Sequence, residues 1–81
     1  MAKRSDKILI IDDETTIQLM QDLLKEKGYS VDSALSAEKG LKKIKNYSYK
    51  VVISDYKMPK MFGIELLDYC NKHFPELPVI I

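Results

Sequence analysis

The chain has 81 residues, a formal net charge of +1 and 46% hydrophobic residues. At this length it forms one domain at most and buries about 60% of the surface it exposes unfolded, so its core is thin. The balanced, dispersed charge lacks the footprint of a nucleic-acid binder. The one cysteine, Cys70, excludes an internal disulfide and fits a reducing, cytoplasmic setting better than a secreted scaffold.

Residues 1–7 read as a solvated tail. They are basic but lead into an apolar run of only four residues, too short for a signal peptide or a membrane span. Ile8-Leu9-Ile10-Ile11 has no polar alternation, the pattern of a strand buried on both faces of a parallel sheet. It runs into Asp12-Asp13-Glu14 and then a helical pattern over 15–27, with apolar residues at Ile17, Met20, Leu24 and at Leu19, Leu23. Gly28 stops that helix. Residues 29–35 alternate apolar with polar, as in an edge strand with one wet side.

Ser36 reads as the N-cap of a second helix whose buried stripe is Ala37, Leu41 and Ile44; Gly40 weakens it. Lys39, Lys42, Lys43 and Lys45 cluster there, as on an ordinary solvated face. After a turn over 46–49, Val51-Val52-Ile53-Ser54 forms the third strand, ending in Asp55. A turn through Met58-Pro59 and Gly63 leads to a third helix over 64–72, with Ile64, Leu67 and Cys70 as its stripe. Val79-Ile80-Ile81 begins a fourth strand. The alternation of strands and helices implies an α/β domain with right-handed crossovers and a parallel sheet.

Two apolar strands that each end in carboxylates would bring Asp12, Asp13 and Asp55 to one edge if they lie side by side. Two carboxylates about 4 Å apart repel by about 4 kcal/mol at an effective dielectric near 20, so such a trio requires a cation or a raised pKa. Oxygen donors without His or Cys select a hard ion, Mg²⁺ ahead of Ca²⁺. A carboxylate neutralised in this way can act as nucleophile in phosphoryl transfer, and Asp55, standing alone after its strand, fits that role. The simpler alternative is that Asp12, Asp13 and Glu14 cap the first helix and Asp55 opens a turn.

With Asp12-Asp13 after the first strand and Asp55-x-x-Met58-Pro59-x-x-x-Gly63 after the third, the chain resembles the receiver domain of two-component response regulators over essentially its whole length. The resemblance implies a flavodoxin-like fold. It further implies a four-stranded parallel sheet of order 2-1-3-4 with three helices, the first on one face and the other two on the opposite one. It makes Asp55 the phosphoacceptor, Asp13 and Asp55 direct Mg²⁺ ligands, Asp12 a ligand through water, and the backbone carbonyl of Lys57 a further ligand. The donor would be a sensor histidine kinase or a phosphotransfer protein, and the domain would signal rather than act as an enzyme. Phe62 departs from the family pattern, in which Asp commonly precedes the glycine. Residues 8–81 then read as a receiver fragment ending in its fourth strand, without the later hydroxyl and Lys of the family's switch.

The bare apolar run Val79-Ile80-Ile81 suggests self-association through that strand. One rival reading is a haloacid-dehalogenase-like phosphatase with Asp12 as nucleophile, whose motif would put Glu14 in place of its second Asp and leave the Met58-Pro59 block unexplained. The other is a non-phosphorylated interaction or dimerisation module. His73, near the end of the third helix, suits that helix's dipole. Cys70 reads as a small core residue, and Tyr56 and Lys57 flank Asp55 where they could affect water access.

Overall fold

The structure is a computed structural model and describes residues 7–54 and 63–81. Its elements are β1 (Lys7–Ile11), α1 (Glu14–Glu26), β2 (Ser30–Ala34), α2 (Ala37–Asn46), β3 (Val51–Ser54), α3 (Gly63–His73) and β4 (Val79–Ile80). The strands form one parallel sheet in the order β2-β1-β3-β4, as expected. β1 is central because its four consecutive aliphatic residues tolerate burial on both faces, and all four are 5% exposed or less.

Successive strand residues point to opposite faces, which separates two layers of core. Leu9, Ile11, Ala34 and Val52 pack with Ala37 and Ile44 of α2 and with Leu66 and Cys70 of α3. Ile8 and Ile10 pack with Ile17 of α1, and Met20, Leu24, Val31, Val51 and Ile53 line that smaller cluster. The sheet therefore carries α1 on one face and α2 with α3 on the other.

Local chemistry sets the helix ends. Asp13 caps α1, Ser36 caps α2 by accepting the Lys39 N–H at 3.2 Å, and α1 closes at Gly28. There the Gly28 N–H donates to the Lys25 carbonyl at 3.0 Å and the Tyr29 N–H to the Leu24 carbonyl at 3.1 Å. Gly28 has φ +91°, a left-handed conformation that a side chain would strain.

Three expectations are revised. Leu19 and Leu23 of α1 are 63% and 61% exposed, because only the 17, 20, 24 stripe reaches the sheet. In α3 the buried stripe is Leu66 and Cys70, continued by Phe74, at a spacing of four, and Leu67 is only half-buried. In β2 the polar side is not simply wet: Asp32, on the same face as Ala34, accepts the Tyr49 hydroxyl at 2.7 Å and lies 3.6 Å from Lys7 Nζ.

Candidate functional site

The C-terminal edge of the sheet is held at β1 by backbone bonds on both sides of the acid pair. The Asp12 N–H donates to the Ala34 carbonyl at 3.2 Å, extending the β1–β2 ladder by one residue, and the Ile17 N–H donates to the Asp13 carbonyl at 3.0 Å. Between these anchors the side chains turn inward on one oxygen each. Asp12 Oδ1 accepts the Asp13 N–H at 2.7 Å, and Asp13 Oδ1 accepts the Thr16 N–H at 2.8 Å.

Of the residues considered as caps, Asp13 takes that role, and capacity is left over on both aspartates. Among the described residues neither Asp12 Oδ2 nor Asp13 Oδ2 has a partner. Asp12 is half-buried and Asp13 exposed, so both second oxygens can reach a ligand that keeps water around it. The N-terminal dipole of α1 offsets part of their mutual repulsion. Hard oxygen donors at an open edge fit Mg²⁺, which dehydrates reluctantly and retains several waters; they do not make a soft or enclosed site.

Asp55 and Lys57 lie outside the described residues, as do Tyr56, Met58, Pro59 and Phe62. Their chain neighbour Ser54 ends β3, is 3% exposed and is in register with Ile11, the residue before Asp12. Strands β1 and β3 therefore end level and adjacent. Among the described residues no group of three His, Cys, Asp or Glu side chains could hold a metal; Asp55, the third member of the expected set, is not one of them.

Residues 8–81 match the model of the response regulator receiver domain. The chain belongs to this family. Among curated relatives it is similar to the transcriptional regulatory protein DltR of Streptococcus agalactiae serotype III, 36% identical over 75 residues that cover 91% of this chain and 34% of DltR. Among solved structures it is similar to the response regulator protein TrrA of Thermotoga maritima in complex with Mg²⁺-BeF. There the identity is 35% and the TM-score 0.88, covering 94% of this chain and 67% of that one. It also matches, at 35% identity and a TM-score of 0.84, the complex of histidine kinase ThkA with TrrA, covering 91% of this chain and 65% of that one. The matched stretch of the receiver domain spans between 18% and 34% of the length of these curated relatives. Its fold is flavodoxin-like, and it is a two-component signalling domain.

One positioning residue of this receiver domain escaped the sequence reading. Gly40, taken as a weakness in α2, is buried where that helix passes closest to β1. A Cβ there would stand 2.8 Å from Ile11 Cγ1 and overlap Ile11 Cδ1. The signal was available: the glycine falls in phase with Ala37, Leu41 and Ile44. Its contact fixes the residue that leads into Asp12.

Other groups are structural. Cys70 is fully buried, and burial pushes its thiol up, which keeps it protonated and unreactive. His73 closes α3, with its ring centroid 4.3 Å from that of Tyr69. A cleft of about 460 Å³ lies at the opposite end of the sheet from the acid pair, between the α2–β3 and α3–β4 turns, lined by Ile44, Tyr47, Tyr49, His73, Phe74 and Leu77 among others. Its lining is mainly aromatic and aliphatic, with Glu76 as its one acid among the described residues. Among the described residues no helix is long and apolar enough to cross a membrane.

Proposed function

We propose that this receiver domain accepts a phosphoryl group on Asp55 from the phosphohistidine of a sensor histidine kinase or a phosphotransfer protein. The observation that carries the reading is the level pairing of Ile11 with Ser54, each followed directly in the chain by an acid. A carboxylate oxygen of Asp55 attacks phosphorus, a P–O bond forms as the P–N bond to imidazole breaks, and the released nitrogen takes up a proton. Asp13 and Asp55 would hold Mg²⁺ directly, Asp12 through water, and the Lys57 carbonyl would complete the protein ligands. Mg²⁺ supplies charge neutralisation that lets an anionic nucleophile approach an anionic phosphoryl group.

Asp12 and Asp13 meet this role with their second oxygens, while the first hold the site to the start of α1. The solved TrrA structures, one with Mg²⁺-BeF and one with histidine kinase ThkA, support Mg²⁺ and a kinase as the ligand and partner to test first. Residues 8–81 act as one receiver unit. The domain works in the cytoplasm as a phosphoacceptor, and it does not turn over an external substrate.

The test is intact-mass spectrometry after incubation with Mg²⁺ and a small acyl-phosphate donor. One added phosphoryl group is expected on the wild type and on Asp12→Asn at a reduced rate, with none on Asp55→Asn and none without Mg²⁺. An adduct that persists on Asp55→Asn and vanishes on Asp12→Asn would overturn the assignment in favour of an Asp12 nucleophile. A folded wild type that takes no adduct would leave the interaction-module reading.

A further inference from the structure

The two acids at the sheet edge are held from opposite sides. Asp13 is tied to α1: its carbonyl accepts the Ile17 N–H at 3.0 Å and its Oδ1 the Thr16 N–H at 2.8 Å. Asp12 is tied to β2: its N–H donates to the Ala34 carbonyl at 3.2 Å, one step beyond the last β1–β2 pair, Ile11 with Ala34. Since α1 covers one face of the sheet and α2 the other, the two carboxylates answer to different helices.

Helix α2 reaches this edge at Gly40. A Cβ there would overlap Ile11 Cδ1, stand 2.8 Å from Ile11 Cγ1 and touch Ala34 Cβ at 3.8 Å. These are the two residues that bracket the Asp12 anchor: Ile11 precedes Asp12 in the chain, and Ala34 carries the accepting carbonyl. Ile11 is fully buried in one cluster with Ile44, Val52 and Leu66, so turning it aside would displace a close-packed core.

Retreat of α2 brings no relief at Asp12. β2 ends at Ala34 and α2 begins at Ala37, and of the two residues between them Ser36 is already bound to α2 as its cap through the Lys39 N–H. With so short a connection, a helix that backs away from β1 draws the Ala34 carbonyl off the Asp12 N–H. A side chain at position 40 therefore loads the Asp12 anchor by either route and spares the α1 bonds of Asp13.

We infer that Gly40 is a positioning residue for Asp12. It lets α2 seat on the ends of β1 and β2, which holds the Asp12 main chain in line and sets where its second oxygen meets the ion, independently of the capping that orients Asp13. The consequence for the ion rests on the Mg²⁺ reading proposed above, whereas the placement rests on the Gly40 contact and the backbone bonds. Loss of outer-shell support weakens a metal site by about 10–100-fold, and an acid that acts through water falls at the lower end.

Amide NMR of the 81-residue chain decides, with Gly40→Ala, Ile11→Val, the double variant, and Cys70→Ala as a core loss on α3. An equal addition of a stabilising osmolyte keeps the least stable of them folded. Without Mg²⁺, Gly40→Ala should move the Asp12 amide proton upfield, as its bond to Ala34 lengthens, several times further than the Thr16 and Ile17 amides. Titration should then give a Mg²⁺ dissociation constant about tenfold weaker for Gly40→Ala and unchanged for Cys70→Ala. In the Ile11→Val background, which lacks the overlapping Cδ1, the same glycine-to-alanine change should cost no more than about threefold. An Asp12 amide that stays in place in Gly40→Ala, or Thr16 and Ile17 amides that move as far, would overturn the placement. A Mg²⁺ affinity that Gly40→Ala leaves intact, or that Cys70→Ala lowers equally, would overturn the link to the ion. A wild type that binds no Mg²⁺ would refute the ion reading itself, and the Asp12 amide would still decide the placement.

Discussion

Replacing Gly40 with alanine sets two opposed effects against each other, and the structure decides which wins. Alanine favours a helix interior over glycine by about 1 kcal/mol. At this position, however, the new methyl would stand 2.8 Å from Ile11 Cγ1 and overlap Ile11 Cδ1, while Ala34 Cβ at 3.8 Å is in ordinary contact. Ile11 is fully buried on the central strand, so it cannot swing aside without disturbing the core. Overpacking of this kind costs about 1–3 kcal/mol. Overlap with Cδ1 of a residue that cannot move puts the clash in the upper part of that range, about 2–3 kcal/mol, so the expected result is a net loss of about 1–2 kcal/mol, read as a lower urea midpoint at unchanged slope in far-UV circular dichroism. Ile11→Val removes the overlapping Cδ1 and alone costs about 1 kcal/mol. In the double variant the two losses should not add, leaving a coupling of about 1 kcal/mol in its favour. A Gly40→Ala protein as stable as the wild type, or strictly additive losses, would refute the close approach of α2 to β1.

Gly28→Ala should lower stability by about 1 kcal/mol, because φ +91° is strained for any side chain although no neighbour obstructs a Cβ there; equal urea midpoints would contradict this. Asp13→Ser retains an N-cap acceptor and Asp13→Ala does not, so without Mg²⁺ only the alanine variant should lose about 1 kcal/mol. Millimolar Mg²⁺ should raise the wild-type melting temperature by mass action; both variants should lose that increment, and retention by either would separate Asp13 from the ion. Burial first, and then the hydrogen bond to Asp32, push the Tyr49 phenol well above its ordinary value of about 10. The folded state thus keeps a proton that the unfolded chain releases: this contribution is whole below pH 10 and declines above it. Tyr49→Phe should cost about 1 kcal/mol at neutral pH and flatten the alkaline decline, leaving the smaller part from Cys70; an unchanged slope above pH 10 would reject the coupling.

The sequence by itself determined the alternation of elements, because strands buried on both faces and helices buried on one stripe write different periods into the chain. It also determined where elements stop, through side chains that act within a turn: Asp13 and Ser36 as caps, Gly28 as the left-handed closure. The acid pair was legible for the same reason, since two carboxylates after an apolar strand need no distant residue to be noticed. Only the tertiary structure decided which of two helical phases faced inward, burying Leu66 where Leu67 was expected and turning Leu19 and Leu23 outward. Periodicity gives the spacing of a stripe, whereas its phase depends on where the sheet stands. Likewise Gly40 reads as a flaw in an isolated helix and becomes a requirement when Ile11 lies against it. Asp32 reads as a solvated residue until Tyr49, 17 positions later in the chain, closes over it. Such contacts join residues distant in sequence, and their energies depend on a separation that only the folded backbone sets.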